Sequence, residues 1–207
     1  MSLRARIPGW LEVVLLVVGV FVVGLVVKTF LVALFYIPSG SMQETLQIGD
    51  RVAVNKLVYH FRSVERGDII VFDGSGLFTP EAGDEHDFIK RVIGIAGEHV
   101  VCCNPSGQIT VNGVALDEQS FLYPGNPPSL VPFDVRVPEG RLWVMGDHRS
   151  ASADSRSHLG DPGGGFVPVS RVVGRAMAVI WPLSDAKVLQ IPGTFDQPGL
   201  DEANGGQ

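Results

Sequence analysis

The feature that most constrains this chain is an apolar run near its start, Trp10 to Val27, 18 residues whose only charge is Glu12. Wound as a helix at ~1.5 Å per residue it would be about 27 Å long, close to the roughly 30 Å hydrocarbon core of a bilayer. Lys28 follows and is placed to snorkel to an interface. A second apolar run, Phe30 to Ile37, comes directly after. Val13 to Val27 has no polar face at a period of 3.6, which argues against a helix packed in a globular core. A cleavable secretory signal would carry an apolar region of about 7–15 residues closed by an A-x-A-like triplet, and no such triplet closes this run. The pattern predicts an uncleaved anchor over residues 10–28, preceded by a short segment, 1–9. Arg4 and Arg6 lie before the span and Lys28 just after it, so the positive-inside rule puts the N-terminus in the cytoplasm and the remainder on the outer face.

The remainder has ordinary polarity. The chain of 207 residues is 45% hydrophobic and 18% charged, with the apolar excess concentrated in the N-terminal run. Its net charge of -6 gives no electrostatic footprint for a nucleic-acid partner. Short Val-, Ile- and Phe-rich runs bounded by Gly, Pro and Asp read as strands: Arg51–Asn55, Asp68–Phe72 and Val172–Trp181. Gln108–Leu116 reads as a hairpin, since Asn112-Gly113 is the pair that a type I′ turn requires. No strong amphipathic helix follows the anchor, so the expected class is mainly β. Residues 73–87, Gly-rich and acidic, read as a solvated loop. Tyr123–Pro132, with four prolines, reads as an irregular connection. Residues 193–207 read as a disordered tail. Cys102 and Cys103 are adjacent in an expected strand, where neighbouring side chains point to opposite faces, so the expectation is two unbridged thiols. No Cys or His pair has metal-ligand spacing, and no cofactor is expected.

Three patches can carry chemistry. In Ile37-Pro-Ser-Gly-Ser-Met-Gln-Glu-Thr-Leu46, Pro38 and Gly40 force an irregular backbone around Ser39 and Ser41, able to expose a hydroxyl and to aim backbone N–H groups at one point. A plain loop is the bland alternative. In Asp87-Phe-Ile-Lys-Arg-Val-Ile93, Lys90 lies in an apolar strand. Facing solvent it would be inert. Facing inward, desolvation would disfavour its ammonium, and a neutral lysine can take a serine proton. Gly146-Asp-His-Arg-Ser-Ala-Ser-Ala-Asp-Ser-Arg156 is either a solvated charged loop or a salt-bridge network able to orient a base.

Together and in this order the patches resemble the boxes of the bacterial type I signal peptidases, also called leader peptidases. Arg66–Phe72 and Phe88–Arg91 are similar to two middle boxes of that family, and the likeness runs from the anchor to about Ile191. It implies a serine endopeptidase with a Ser-Lys dyad that cuts signal peptides from exported preproteins after A-x-A sites. Ser41 would be the nucleophile and Lys90 its general base. The Ser39 hydroxyl and the Ser41 N–H would form the oxyanion hole, and Ser152 would orient Lys90. Asp147, Asp154 and Arg156 would be structural supports. Phe35, Ile37, Leu46, Val71 and Ile89 would line shallow pockets for small substrate side chains. The family's architecture implies an antiparallel β catalytic domain, residues 29–97 and 143–192, with a smaller β domain inserted at 98–142. The implied setting is a single-pass protein of the bacterial plasma membrane, acting as a monomer on secretory preproteins.

Some positions depart from the family pattern. Glu44 stands where Pro is common. His148, Ser150 and Ala151 stand where Asn, Asp and Asn are common. His148 invites a Ser-His alternative, as in the endoplasmic-reticulum enzyme, but there the histidine replaces the lysine, and here Lys90 is in its box. An inactive membrane-anchored β module would lack Ser41 or Lys90, and a self-cleaving repressor-type protease would begin with a DNA-binding domain. The sequence fits neither.

Overall fold

The computed structural model describes residues 8–26, 32–79 and 86–201. The apolar run forms α1 (Gly9–Val26), 18 residues long. At ~1.5 Å per residue that is about 27 Å, against a roughly 30 Å hydrocarbon core. Among the described residues no helix is long and apolar enough to cross a membrane. Val27 and Lys28, which close the expected span, lie outside the described residues, as do residues 1–7.

The remaining elements are almost all strands. In chain order they are β1 (Val32–Tyr36), β2 (Arg51–Asn55), a one-turn helix α2 (Val58–Phe61), β3 (Ile69–Asp73), β4 (Asp87–Gly94), β5 (His99–Cys102), β6 (Ile109–Val111), β7 (Val114–Ala115), β8 (Phe133–Arg136), β9 (Arg141–Met145), β10 (Val167–Pro168), β11 (Val172–Trp181) and β12 (Lys187–Val188). Eight of them build a large antiparallel sheet in the order β1-β2-β11-β3-β4-β9-β10, with β12 on β11. Four build a small sheet, β7-β6-β5-β8. The small sheet occupies residues 99–136, inside the stretch expected for an insertion.

Burial explains the strand choice. β2 alternates, with Val52 and Val54 buried between more exposed neighbours, as one face on a core requires. β3 is buried along Ile69–Phe72, consistent with its place between β11 and β4. Under the first of these strands Ile37, Met42, Leu46, Val52, Val54, Ile69 and Val71 share one core. The small sheet has no separate core: Val100, Ile109, Val111 and Phe133 pack with Ile93, Trp143 and Met145 of the large sheet. Fully burying side chains of this size is worth about 1.5–3 kcal/mol each. The expected hairpin is β6–β7, and Asn112 and Gly113 have φ of 50° and 84°, the signs a type I′ turn needs.

Three expectations change. Residues 193–201 of the presumed tail are packed. Gly193–Asp196 is a 3-10 turn, Phe195 and Leu200 are buried, and Phe195 stacks on Phe121. These two apolar side chains pack the segment onto the core, and Thr194, Gln197 and the Leu200 carbonyl bond it to Asp117, Ala115 and Asn112. Residues 202–207 lie outside the described residues. Cys102 and Cys103 are joined by a disulfide, because β5 ends at Cys102 and strand alternation does not extend to Cys103. The acidic loop is not wholly solvated. Phe78 packs on Phe72 and Phe88, and His158 stacks on Phe78, while residues 80–85 lie outside the described residues.

Candidate active site

Pro38 ends β1's ladder, since it lacks an N–H, and the chain loops out to return at Asp50. The loop is closed at its neck, where Ile37 N–H donates to the Asp50 carbonyl (2.9 Å) and Gly49 N–H to the Ile37 carbonyl (2.9 Å). Within it Gly40–Met42 forms a 3-10 turn that buries Ser41 and Met42. A type II turn follows over Met42–Thr45. Thr45 N–H donates to the Met42 carbonyl at 3.1 Å, Gln43 has φ −55° and ψ 149°, and Glu44 has φ 86°. That left-handed position suits glycine and excludes proline, whose φ is fixed near about −65°. Glu44 is therefore more than a missing proline: the turn here has a different geometry from one that proline could occupy.

β4 supplies the partner. It pairs with β3 with Lys90 opposite Ile70 and Ile89 opposite Val71. Lys90 is 4% exposed and Ser41 6%. Lys90 Nζ lies 2.8 Å from Ser41 Oγ and 3.0 Å from the Ile89 carbonyl oxygen. The Phe88 ring centroid is 5.9 Å from Nζ. Burial of this degree strips water from the amine. Ser39 is exposed, with Oγ 3.5 Å from Ser41 Oγ.

The cleft over this pair has a volume of about 240 Å³. Its walls include Phe35, Ile37, Val71 and Ile89 as expected, together with Phe88, Ala151 and Ala153. Leu46 is not on its wall. It is fully buried in the core beneath, with Met42 and Ile37. Asp87 also reaches the cleft, and burial, with the neighbouring Asp73 carboxylate adding to it, pushes its carboxyl above the usual range.

The 146–156 loop sits behind Ser41, close enough that a Cβ on Gly146 would strike the Ser41 carbonyl oxygen and Ser152 Oγ. Only glycine fits there. Ser152 is buried, and its hydroxyl lies by Asp154, where it helps to hold that carboxyl low, rather than on Lys90. The expected bond to Lys90 is not made, because the amine is turned to Ser41 and the Ile89 carbonyl. Asp154 accepts from Arg156 Nε (2.8 Å) and Nη2 (2.7 Å) and from Gly146 N–H (3.0 Å). Burial alone would raise the Asp154 carboxyl; the bonds and charge of Arg156, with that N–H, outweigh it and hold it below the usual range. Asp147 clasps Arg91 through Nε (2.8 Å) and Nη2 (2.7 Å) and accepts from Thr45 Oγ1 at 2.5 Å. It thus ties together the strand of Lys90, the turn of Ser41 and its own loop.

Sequence reasoning missed three members of this framework. Arg91 was visible only as a neighbour of Lys90, and Thr45 only as a residue of the Ser41 turn. Glu118, in the small-sheet region, was not singled out. It binds Arg149 Nη1 (3.0 Å) and Nη2 (2.5 Å) from 31 residues away, a separation at which no local pattern links them.

A buried serine at hydrogen-bond distance from a buried lysine, beside a cleft walled by small and apolar side chains, is the arrangement of a hydrolase that works by nucleophilic attack. Residues 10–181 match the protein family described as signal peptidase, peptidase S26. A probable signal peptidase I of Mycobacterium leprae is 37% identical, over 81% of this chain and 75% of that one. A probable signal peptidase I-2 of Synechocystis is 38% identical, over 84% and 74%. Signal peptidase IB of Staphylococcus aureus is 30% identical, over 86% and 92%. A crystal structure of a signal peptidase I from Enterococcus faecalis superposes with a TM-score of 0.42 over 56% of this chain at 28% identity. The chain belongs to the signal peptidase family, peptidase S26, and is a serine peptidase.

Proposed function

We propose that this protein cleaves signal peptides from exported preproteins after A-x-A sites, with Ser41 as nucleophile and Lys90 as general base. The observation that carries the reading is the 2.8 Å contact between Lys90 Nζ and Ser41 Oγ at buried positions. Ser41 Oγ attacks the scissile carbonyl as Lys90 takes its proton. The resulting ammonium returns a proton to the leaving amine. The oxyanion is received by the Ser41 N–H and the Ser39 hydroxyl, whose Oγ lies 3.5 Å from Ser41 Oγ. Ser152 steadies Lys90 once substrate closes the cleft, and Asp147, Asp154 and Arg156 hold the loop behind both. Small side chains at the first and third positions before the cut fit the walls formed by Phe35, Ile37, Val71, Ile89 and Ala153. Leu46 acts from beneath, by packing under Ile37. No cofactor takes part.

The apolar segment 10–28 anchors the chain in the plasma membrane. The N-terminus is cytoplasmic and the β domain lies on the outer face, where preproteins emerge. The enzyme acts as a single copy. Support comes from the apolar run with Glu12 as its only internal charge, the Arg4/Arg6 bias and the family of the chain.

The test uses full-length protein in detergent and a preprotein with an A-x-A site. Ser41→Ala and Lys90→Ala are expected to lose about 10,000-fold or more in rate, the scale on which hydrolase nucleophiles and bases fail. Lys90→Arg is expected to be as dead, since guanidinium keeps its proton. Wild-type rate rises with pH as Lys90 deprotonates. Cleavage by either alanine variant at the wild-type rate would sink the assignment.

A further inference from the structure

His148, which departs from the family pattern, reaches the Ser41 turn beside Asp147. Its N–H donates to the Ser41 carbonyl at 3.1 Å. Its ring Nδ1 lies 3.0 Å from Gln43 Oε1. The opposite contact is the Tyr123 ring, stacked on the imidazole with centroids 3.9 Å apart and planes 14° from parallel. Tyr123 belongs to the irregular segment leading from the small sheet, and its N–H donates to the Asp147 carbonyl at 3.0 Å.

Gly40 completes the series. Gln43 N–H donates to the Gly40 carbonyl at 3.0 Å, and the Gln43 side chain folds back so that a Cβ on Gly40 would stand 2.7 Å from Oε1. An alanine at 40 would have to expel that amide. The glycine between Ser39 and Ser41 therefore has a packing reason besides backbone freedom. Tyr123, His148, Gln43 and Gly40 form one line of contact from the inserted region to the nucleophile turn.

We propose that His148 is a positioning residue that clamps the Gln43 amide over Gly40, fixing the Ser39–Ser41 turn and coupling it to the Tyr123 segment. An asparagine can hydrogen-bond but has no ring face to offer Tyr123, whereas an imidazole does both. The clamp does not depend on the charge of His148. A neutral imidazole can donate to the amide oxygen or accept from the amide nitrogen, and an imidazolium can still donate. The clamp thus leaves the pH profile to Lys90. The catalytic consequence rests on the assignment of Ser41 as nucleophile, while the clamp itself does not.

The experiment compares wild type, His148→Ala, Gln43→Ala and the double variant in preprotein cleavage and in hydrogen exchange of residues 40–43. Each single variant is expected to lower kcat about tenfold, the scale of a misplaced reacting group, with KM within about twofold and the pH profile unmoved. The double variant is expected to be no worse than the worse single, because both remove one contact. Exchange at residues 40–43 is expected to quicken about tenfold, as local opening becomes easier. A His148→Ala enzyme with wild-type kcat, a double variant with the product of the two losses, or a loss carried by KM would overturn the proposal. If His148→Ala does not fold, Gln43→Ala, at a half-buried turn position, decides by the same measures. If the wild type does not cut the preprotein, the peptidase assignment fails, and exchange alone judges the clamp: unchanged exchange overturns it.

Discussion

Around Ser41 the large sheet and its loop bury Lys90, Arg91, Asp147, Arg149, Asp154 and Arg156, and each of the three arginines meets a carboxylate. The small sheet buries Val100, Cys102, Ile109, Val111 and Phe133 along its strands, and docks by that apolar face. The contrast follows from what each must do. Burial of apolar area is strong but non-directional, sufficient to keep a sheet in place. Ser41, Lys90 and the loop behind them are held in one arrangement, and paired guanidinium–carboxylate bonds impose angles as well as distances. Such pairs add little net stability over apolar packing, but losing one partner leaves a buried charge exposed to its full desolvation cost.

Substitutions at four positions break or sharpen this contrast. The largest effect is expected from Asp147→Ala, which strands Arg91 and removes the acceptor of Thr45. It should cost about 3–5 kcal/mol in chemical denaturation and abolish most cleavage even where the protein stays folded. Ile109→Ala, in the small sheet, should cost about 3 kcal/mol through transfer and cavity terms. Activity per folded molecule should remain within about twofold of wild type. A folded Ile109→Ala protein without activity would erase the division between the sheets.

Asp154→Asn gives a smaller effect with a pH signature. The folded Asp154 carboxyl is held below its usual value of 3.8, so its contribution is complete above that value and disappears as pH falls through the lower folded one. Wild type should be more stable than Asp154→Asn at neutral pH, by about 2 kcal/mol for a charged hydrogen-bond cluster. The two should converge in acid. A constant gap down to strong acid would remove the charge from the explanation. The smallest effect is expected at Glu44, whose φ of 86° is costly for any residue with a Cβ. Glu44→Gly should gain roughly 0.5 kcal/mol, the relief of left-handed strain less the entropy of glycine. Glu44→Pro, though it restores a residue common in related sequences, should destabilise. A Glu44→Pro protein that melts higher than wild type would refute the turn geometry.

Local pattern revealed the strands best. Arg51–Asn55 and Val172–Trp181 are β2 and β11 to the residue, and Asp68–Phe72 is shifted by one from β3. The Asn112-Gly113 turn was legible because its chemistry lies in two adjacent residues. The serine and lysine were legible as residues, but their meeting across 49 positions came only from the order of the boxes. The framework behind them was not visible, since Arg91–Asp147 and Glu118–Arg149 span 56 and 31 positions and neither arginine looks different from a surface one in sequence. The packed segment 193–201 was missed because Phe195 and Leu200 are isolated among polar residues, and their burial depends on a core built elsewhere.

Lys90 and Arg91 stand side by side on β4, opposite Ile70 and Ile69 of β3. A strand that slid by one place would turn every side chain to the other face and deliver a guanidinium to Ser41, a group of nearly the same length that cannot surrender its proton. The clasp of Asp147 on Arg91 makes that slip cost a severed buried ion pair. It serves as an index mark, fixing which of two neighbouring basic side chains faces Ser41.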